Sequence, residues 1–172
     1  MKTDSRRTLI LLALVCIAPV IAGYVAFYFW TPSSGTNYGE LLKPAPWKPE
    51  GLSSAETAPL QGRWVMAFAA PASCDKSCRD NLWIMRQVRT AQGKEMDRVE
   101  RVWLVTDGGR PDATLLAEHP GLRVVEARTP ALEPGRIQLV DPRGNLMMRY
   151  PAEPEPKRMI KDFERILKYS RI

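Results

Sequence analysis

The sequence predicts an α/β domain, a mixed sheet with flanking helices, on a single N-terminal transmembrane helix. Three observations carry this. Residues 9–30, LILLALVCIAPVIAGYVAFYFW, hold no charge. From residue 61 onward, short apolar runs alternate with stretches of helical periodicity. Two cysteines, Cys74 and Cys78, stand four apart in AAPASCDKSCRDNLW (69–83), where a strand gives way to a helix. Strand–helix alternation argues for parallel strands covered by helices. A redox-type cysteine pair opening the first helix of such a unit makes the expected architecture thioredoxin-like.

As a helix, the uncharged run is roughly 33 Å long, enough to cross a bilayer core of about 30 Å. Lys2, Arg6 and Arg7 precede it, which assigns residues 1–8 to the cytoplasm. Tyr24, Phe27, Tyr28, Phe29 and Trp30 crowd its far end, where aromatic rings favour the interface. A cleaved signal peptide has a shorter apolar region ending at small residues, so 9–30 is expected to remain as an anchor. Everything beyond it then lies outside the cytoplasm. The expected setting is a bacterial inner membrane, with a periplasmic C-terminal domain.

Residues 31–60 are rich in Pro, Ser and Gly and are expected to be a tether. NYGELLKPAPW within it carries large apolar groups and is expected to pack against the domain at 61–172. RWVMAFAA (63–70) is a buried strand, followed by a helix with Leu82, Met85 and Val88 in register, which Gly93 ends. RVWLVTD (101–107) is a second strand and PDATLLAEH (111–119) a second helix. LRVVEA (122–127) is a third strand. RIQLV (136–140) and NLMMRY (145–150) form a hairpin across the turn DPRG. A last helix over about 155–170 places Met159, Ile160, Phe163, Ile166 and Leu167 on one face.

The formal net charge of +6 comes from 25 Lys and Arg against 19 Asp and Glu, scattered without a basic block interleaved with aromatics. Nucleic acid is therefore not an expected partner. With a single histidine, His119, no Ser–His–Asp set can be assembled, which argues against a hydrolase. Of three cysteines, Cys16 lies in the apolar run, where a thiolate is disfavoured.

At the mouth of a helix, unpaired N–H groups and the helix dipole favour a thiolate at Cys74, and Lys76 and Arg79 add positive charge. Cys78 falls on the same helix face. Two soft sulfurs facing one point suit Cu(I) or Zn(II). The same closeness allows a redox disulfide, or a permanent one that only staples the fold. The chemistry-bearing readings expect the pair at the mouth of the first helix, partly exposed; if both sulfurs are fully buried under side chains, the redox and copper readings fail and the staple wins.

LQGRWVMAFAAPASCDKSC and IQLVDPRGNL, together with the anchor, resemble the Sco/SenC family. Its members are membrane-anchored, thioredoxin-like proteins that deliver copper to the CuA centre of cytochrome c oxidase or keep its cysteines reduced. The resemblance covers roughly residues 60–172 and the anchor. It implies Cys74 and Cys78 as a Cu(I)-binding or redox pair. The sequence departs from the family at three places. Asp75 and Arg79 stand where the family has proline after each cysteine. The position of the family's histidine ligand falls near Glu133, a hard ligand poorly suited to Cu(I). His119 is expected to be an exposed helix-end residue rather than a ligand. Glu133→His is expected to increase Cu(I) affinity of the reduced domain by completing a Cys–Cys–His set, provided the loop around it faces the cysteines.

The expected function is a Sco-like assembly factor for a respiratory copper oxidase, acting by transient Cu(I) binding or by thiol reduction on an oxidase subunit or another periplasmic thiol protein. The alternatives are a general membrane-tethered thiol–disulfide oxidoreductase, and a non-catalytic interaction module with a structural disulfide.

Overall fold

A computed structural model describes residues 2–29, 37–47, 60–126 and 132–170. The chain divides into two compact units, Met1–Thr36 and Asn37–Ile172.

The first unit is helix α1, Lys2–Phe29. Its Ser5–Phe29 segment is long and apolar enough to cross a membrane. Pro19 sits inside the helix. A proline at mid-span is tolerated in membrane helices, where local adjustments re-satisfy the freed carbonyl. Near its end Tyr24 stacks on Tyr28 at 5.9 Å.

The second unit is a six-stranded mixed sheet. Its elements are β1 (Glu40–Pro46), β2 (Trp64–Ala70), α2 (Lys76–Ala91), β3 (Val99–Val105), α3 (Ala113–Glu118), β4 (Leu122–Glu126), β5 (Ile137–Val140), β6 (Asn145–Arg149) and α4 (Pro156–Tyr169). A short 3₁₀ turn, Gly93–Arg98, links α2 to β3. The spatial order is β1-β6-β5-β2-β3-β4. β2, β3 and β4 are parallel; β5 and β6 form the expected hairpin, with β5 antiparallel to β2. β2 and β3 are buried throughout, so each reads as an unbroken apolar run rather than an alternation.

Strand parity sorts the core into two layers. Met66, Phe68, Trp103, Ile137, Leu139, Met148 and Tyr150 face the layer that receives Leu82, Met85 and Val88 of α2 and Met159, Phe163 and Leu167 of α4. Each such side chain, fully buried, contributes about 1.5–3 kcal/mol. Val65, Ala67, Ala69, Val102, Leu104 and Val140 face the other way, against Trp47, Leu60 and Leu132. α2 ends where the sequence places it: Gly93 takes φ 56°, a conformation open to glycine, just after the C-cap Gln92.

One boundary is corrected. Glu40–Pro46, read as part of the tether, pairs antiparallel with β6 as the outermost strand, so the folded unit starts at Asn37 rather than 61. The packing expected for this stretch takes the form of strand addition. Asp162 of α4 fixes its start. This buried carboxylate accepts the Tyr38 N–H at 2.9 Å and the Gly39 N–H at 2.9 Å. The Tyr38 hydroxyl accepts the Glu155 N–H at 2.9 Å, and Arg158 lies 4.1 Å over the Tyr38 ring. At Gly39 any side chain would meet Met148 Sδ at 2.4 Å, which explains the glycine there.

Candidate functional site

The cysteines occupy the turn and first helical turn between β2 and α2. Pro71 ends the strand, and the Cys74 N–H donates to Pro71 O at 3.2 Å. Asp75 is the N-cap of α2: its side chain accepts the Cys78 N–H at 2.9 Å. The residue that departs from the family pattern thus has a clear local reason, since an N-cap carboxylate satisfies an orphan helix donor. Arg79 Nε returns to Cys74 O at 3.2 Å. Cys74 is the one described non-glycine residue at positive φ, 39°. Such backbone is uncommon for a side-chain-bearing residue and persists only where its surroundings impose it.

The two sulfurs form a disulfide, with Cα atoms 5.1 Å apart. The expectation of partial exposure is overturned. Cys74 is 2% and Cys78 4% exposed, packed into the layer that holds Ala70, Ala72 and Leu82. The physical reason lies in the helix phase. Cys78 shares its face with Leu82 and Met85, the face α2 turns to the sheet.

Asp107, at the end of β3, is a positioning residue the sequence reading passed over. Its carboxylate accepts the Ala72 N–H at 3.0 Å and the Gly109 N–H at 3.1 Å, tying the loop before Cys74 to the neighbouring strand. These backbone donors hold its pKa below the ordinary aspartate range. The Asp-Gly-Gly sequence after an apolar strand was the available signal.

His119 is not exposed, as expected from the sequence, but 4% accessible, and it caps the C-terminus of α3. Its neighbours' carbonyls are bound by two guanidinium groups: Arg86 Nη1 to Glu118 O at 2.7 Å and Arg101 Nη2 to Pro120 O at 2.5 Å. Register places it far from the cysteines. Leu122, just after it, pairs with Arg101, whereas Ala70, which leads to the cysteines, pairs with Val105. Four residues of strand separate the two ends, roughly 13 Å. Burial, then Arg101 and Arg86, lower the His119 pKa, and burial lowers that of Arg101 to about 10. The unfolded chain therefore takes up a proton first as pH falls below about 6.5, and stability declines from there until the folded pKa is passed. In His119→Asn this decline is expected to disappear between pH 7 and 5, measured by urea unfolding at steps of pH.

Glu133 lies on the other face of the sheet from the disulfide. Its carboxylate binds Arg149 Nη1 at 2.7 Å and Arg136 Nε at 3.0 Å, and its carbonyl accepts Gln138 Nε2 at 2.9 Å. Arg149 and Gln138 are cross-strand partners and point opposite to Leu139 and Met148, which face the cysteine layer. Adjacent Leu132 is buried in the opposite layer. The loop backbone does reach β2, with the Gly135 N–H on Ala69 O at 3.0 Å, but its carboxylate does not reach the sulfurs. Among the described residues no group of three His, Cys, Asp or Glu is placed to hold a metal. The described residues therefore do not fit a three-ligand copper site. Accordingly, Glu133→His is expected to leave Cu(I) affinity of the reduced protein unchanged in a competition titration with a chelator.

Residues 64–170 match the family described as transmembrane-like, thioredoxin-like, C-terminal domain. The chain belongs to this family. No curated protein matches the sequence at a significant level. Among solved structures, this transmembrane-like thioredoxin-like domain resembles apo Sco1 from Thermus thermophilus, with TM-score 0.59 and 17% identity over 78% of this chain and 99% of that one. It also resembles copper-bound ScoI from Bradyrhizobium japonicum, with TM-score 0.56 and 18% identity over 70% and 99%. A thiol:disulfide interchange protein from Bacteroides sp. matches at TM-score 0.50 and 16% identity over 77% and 91%. At these identities the likeness is one of fold, and the fold is Sco-like and thioredoxin-like.

Proposed function

We propose that this protein is a membrane-anchored, Sco-like assembly factor that acts on a respiratory oxidase subunit, or another periplasmic thiol protein, by thiol–disulfide exchange at Cys74–Cys78. The anchor spans a bacterial inner membrane, with residues 1–8 in the cytoplasm and the domain in the periplasm. The observation that carries the reading is the placement of the pair: a disulfide across the strand–helix junction, with Cys74 held at φ 39°. Once reduced, a Cys74 thiolate at a helix N-terminus is stabilised by the dipole and by Arg79. Cys74 attacks a sulfur of the partner's disulfide, forming a mixed disulfide and releasing the partner's other thiolate. The Cys78 thiolate then attacks Cys74, regenerating the Cys74–Cys78 bond and releasing the partner's second thiol. The two electrons leave the pair for the partner.

Copper enters as cargo in this reading. Two sulfurs alone would hold Cu(I) weakly and transiently, since neither His119 nor Glu133 completes a set.

The low exposure of both cysteines favours a second reading, a structural disulfide in an interaction module. The reduction potential separates them. A working pair equilibrates with glutathione or thioredoxin-type buffers, at about −180 to −270 mV, whereas structural disulfides lie below about −300 mV. A potential below that limit for the full-length chain would remove the exchange reading.

A further inference from the structure

A groove of about 620 Å³ runs between α2 and the segment that joins β6 to α4; it begins at Lys76 and Ser77, which lie between the two cysteines in sequence, and neither cysteine lines it. Helical phase puts it on the flank of α2. Cys78 and Leu82 face the sheet, Ser77, Asn81 and Ile84 form the near wall, and Trp83 stands at the outer rim. The far wall is Ala152–Pro156. Trp83 is 51% exposed, a large aromatic left open to solvent a turn and a half beyond the cysteines. The walls are fixed in place. Asn81 Nδ2 bridges them, donating to Ser77 O at 3.0 Å and Ala152 O at 3.2 Å. Tyr38 holds Glu155 from behind. The buried Asn81 Oδ1 has no hydrogen-bond partner among the described residues.

Charge sets the choice of occupant. Lys76 pairs with Asp80 at 2.6 Å and also feels the charge of Glu153 across the groove. Glu153 and Glu155 have no ion pair among the described residues. A chain of net charge +6 thus presents a local acidic rim over an apolar floor. The groove follows α2 from Lys76 to Ile84, roughly 12 Å, the length of about four residues in extended conformation.

We propose that this groove docks an extended, mainly apolar segment of a partner protein that carries a lysine or arginine, and so presents the partner's thiols to Cys74–Cys78. The inference rests on the exchange reading of the pair for its purpose, but not for its test. Trp83 is the anchor, as exposed aromatics beside pockets commonly are at interfaces. Glu153 and Glu155 select the cation.

The test uses the full-length chain in nanodiscs, with the disulfide intact, and two fluorescent hexapeptides of alternating valine and serine. One peptide has a central arginine and the other a glutamate in its place. The arginine peptide is expected to bind at least about tenfold more tightly, a difference of about 1.4 kcal/mol. Trp83→Ala is expected to weaken it by about tenfold. Glu153→Gln with Glu155→Gln is expected to erase the preference between the peptides without unfolding the domain. The reduction potential is read on the same samples. Equal binding of the two peptides, or binding indifferent to Trp83→Ala, overturns the docking site even when the potential is that of a working pair. A structural potential alongside selective binding leaves the groove standing and removes only the exchange.

Discussion

Cys74→Ser is expected to reduce transfer of electrons from the full-length protein to a disulfide-bonded peptide to the uncatalysed background. Cys78→Ser is expected to trap the mixed disulfide, visible as a covalent adduct on a non-reducing gel. The pair spans four residues. Closing so short a loop stabilises a fold by about 2 kcal/mol through the unfolded chain. A purely structural disulfide would therefore show that loss of stability and nothing more. The exchange reading requires the asymmetry between the two variants. It arises from position in the chain, since Cys74 lies in the turn before α2 with its carbonyl bound by Arg79 and Cys78 lies within the helix, and not from exposure, which is 2% and 4%. If neither serine variant changes peptide reduction or forms an adduct, the pair is a staple.

The second large effect concerns Asp162. Asp162→Ala removes the acceptor of the Tyr38 and Gly39 N–H groups in a buried setting. Two orphaned donors, one buried and one part-buried, cost about 1–3 kcal/mol each, so a total loss of about 2–6 kcal/mol is expected in urea unfolding. Asp162→Asn keeps one acceptor oxygen and should recover part of it. Amide exchange locates the damage. Protection should fall in β1 (Glu40–Pro46) and its partner β6 first, because Asp162 fixes the entry to β1 and not the central strands. Unchanged protection in β1 would mean that the strand is held by its ladder alone.

Much of this fold could be read along the chain. β2 and β3 are apolar without interruption, and α2 and α4 repeat at helical spacing, because local sequence and tertiary environment agree there. β1 could not be read so. ELLKPAP has two prolines and faces solvent at most positions, and it becomes a strand because β6 offers it an edge and Asp162 holds its start. His119 misled for a similar reason. A helix-end histidine beside proline reads as surface, yet Arg86 and Arg101, distant in sequence, close over it. The cysteines were found by motif, but their burial follows from the phase of α2, set by Leu82 and Met85. Glu133 shows the sharpest limit. One residue of strand parity decides which side of the sheet a loop carboxylate occupies, and counting back from a turn cannot supply that parity.

β1 also has a bearing on solubility. An open strand at the border of a sheet is a template on which another chain can add, the first step toward aggregation. Pro44 and Pro46 lack the N–H needed to extend the ladder outward, so this border offers an incomplete row of donors. The opposite border, β4, is only five residues long and carries Arg123 and Glu126. On the proposal that the N-terminal helix anchors the protein, confinement to the plane of a membrane would bring its copies together at high local concentration. With both borders blunted, neighbouring domains are kept from zipping into a continuous sheet.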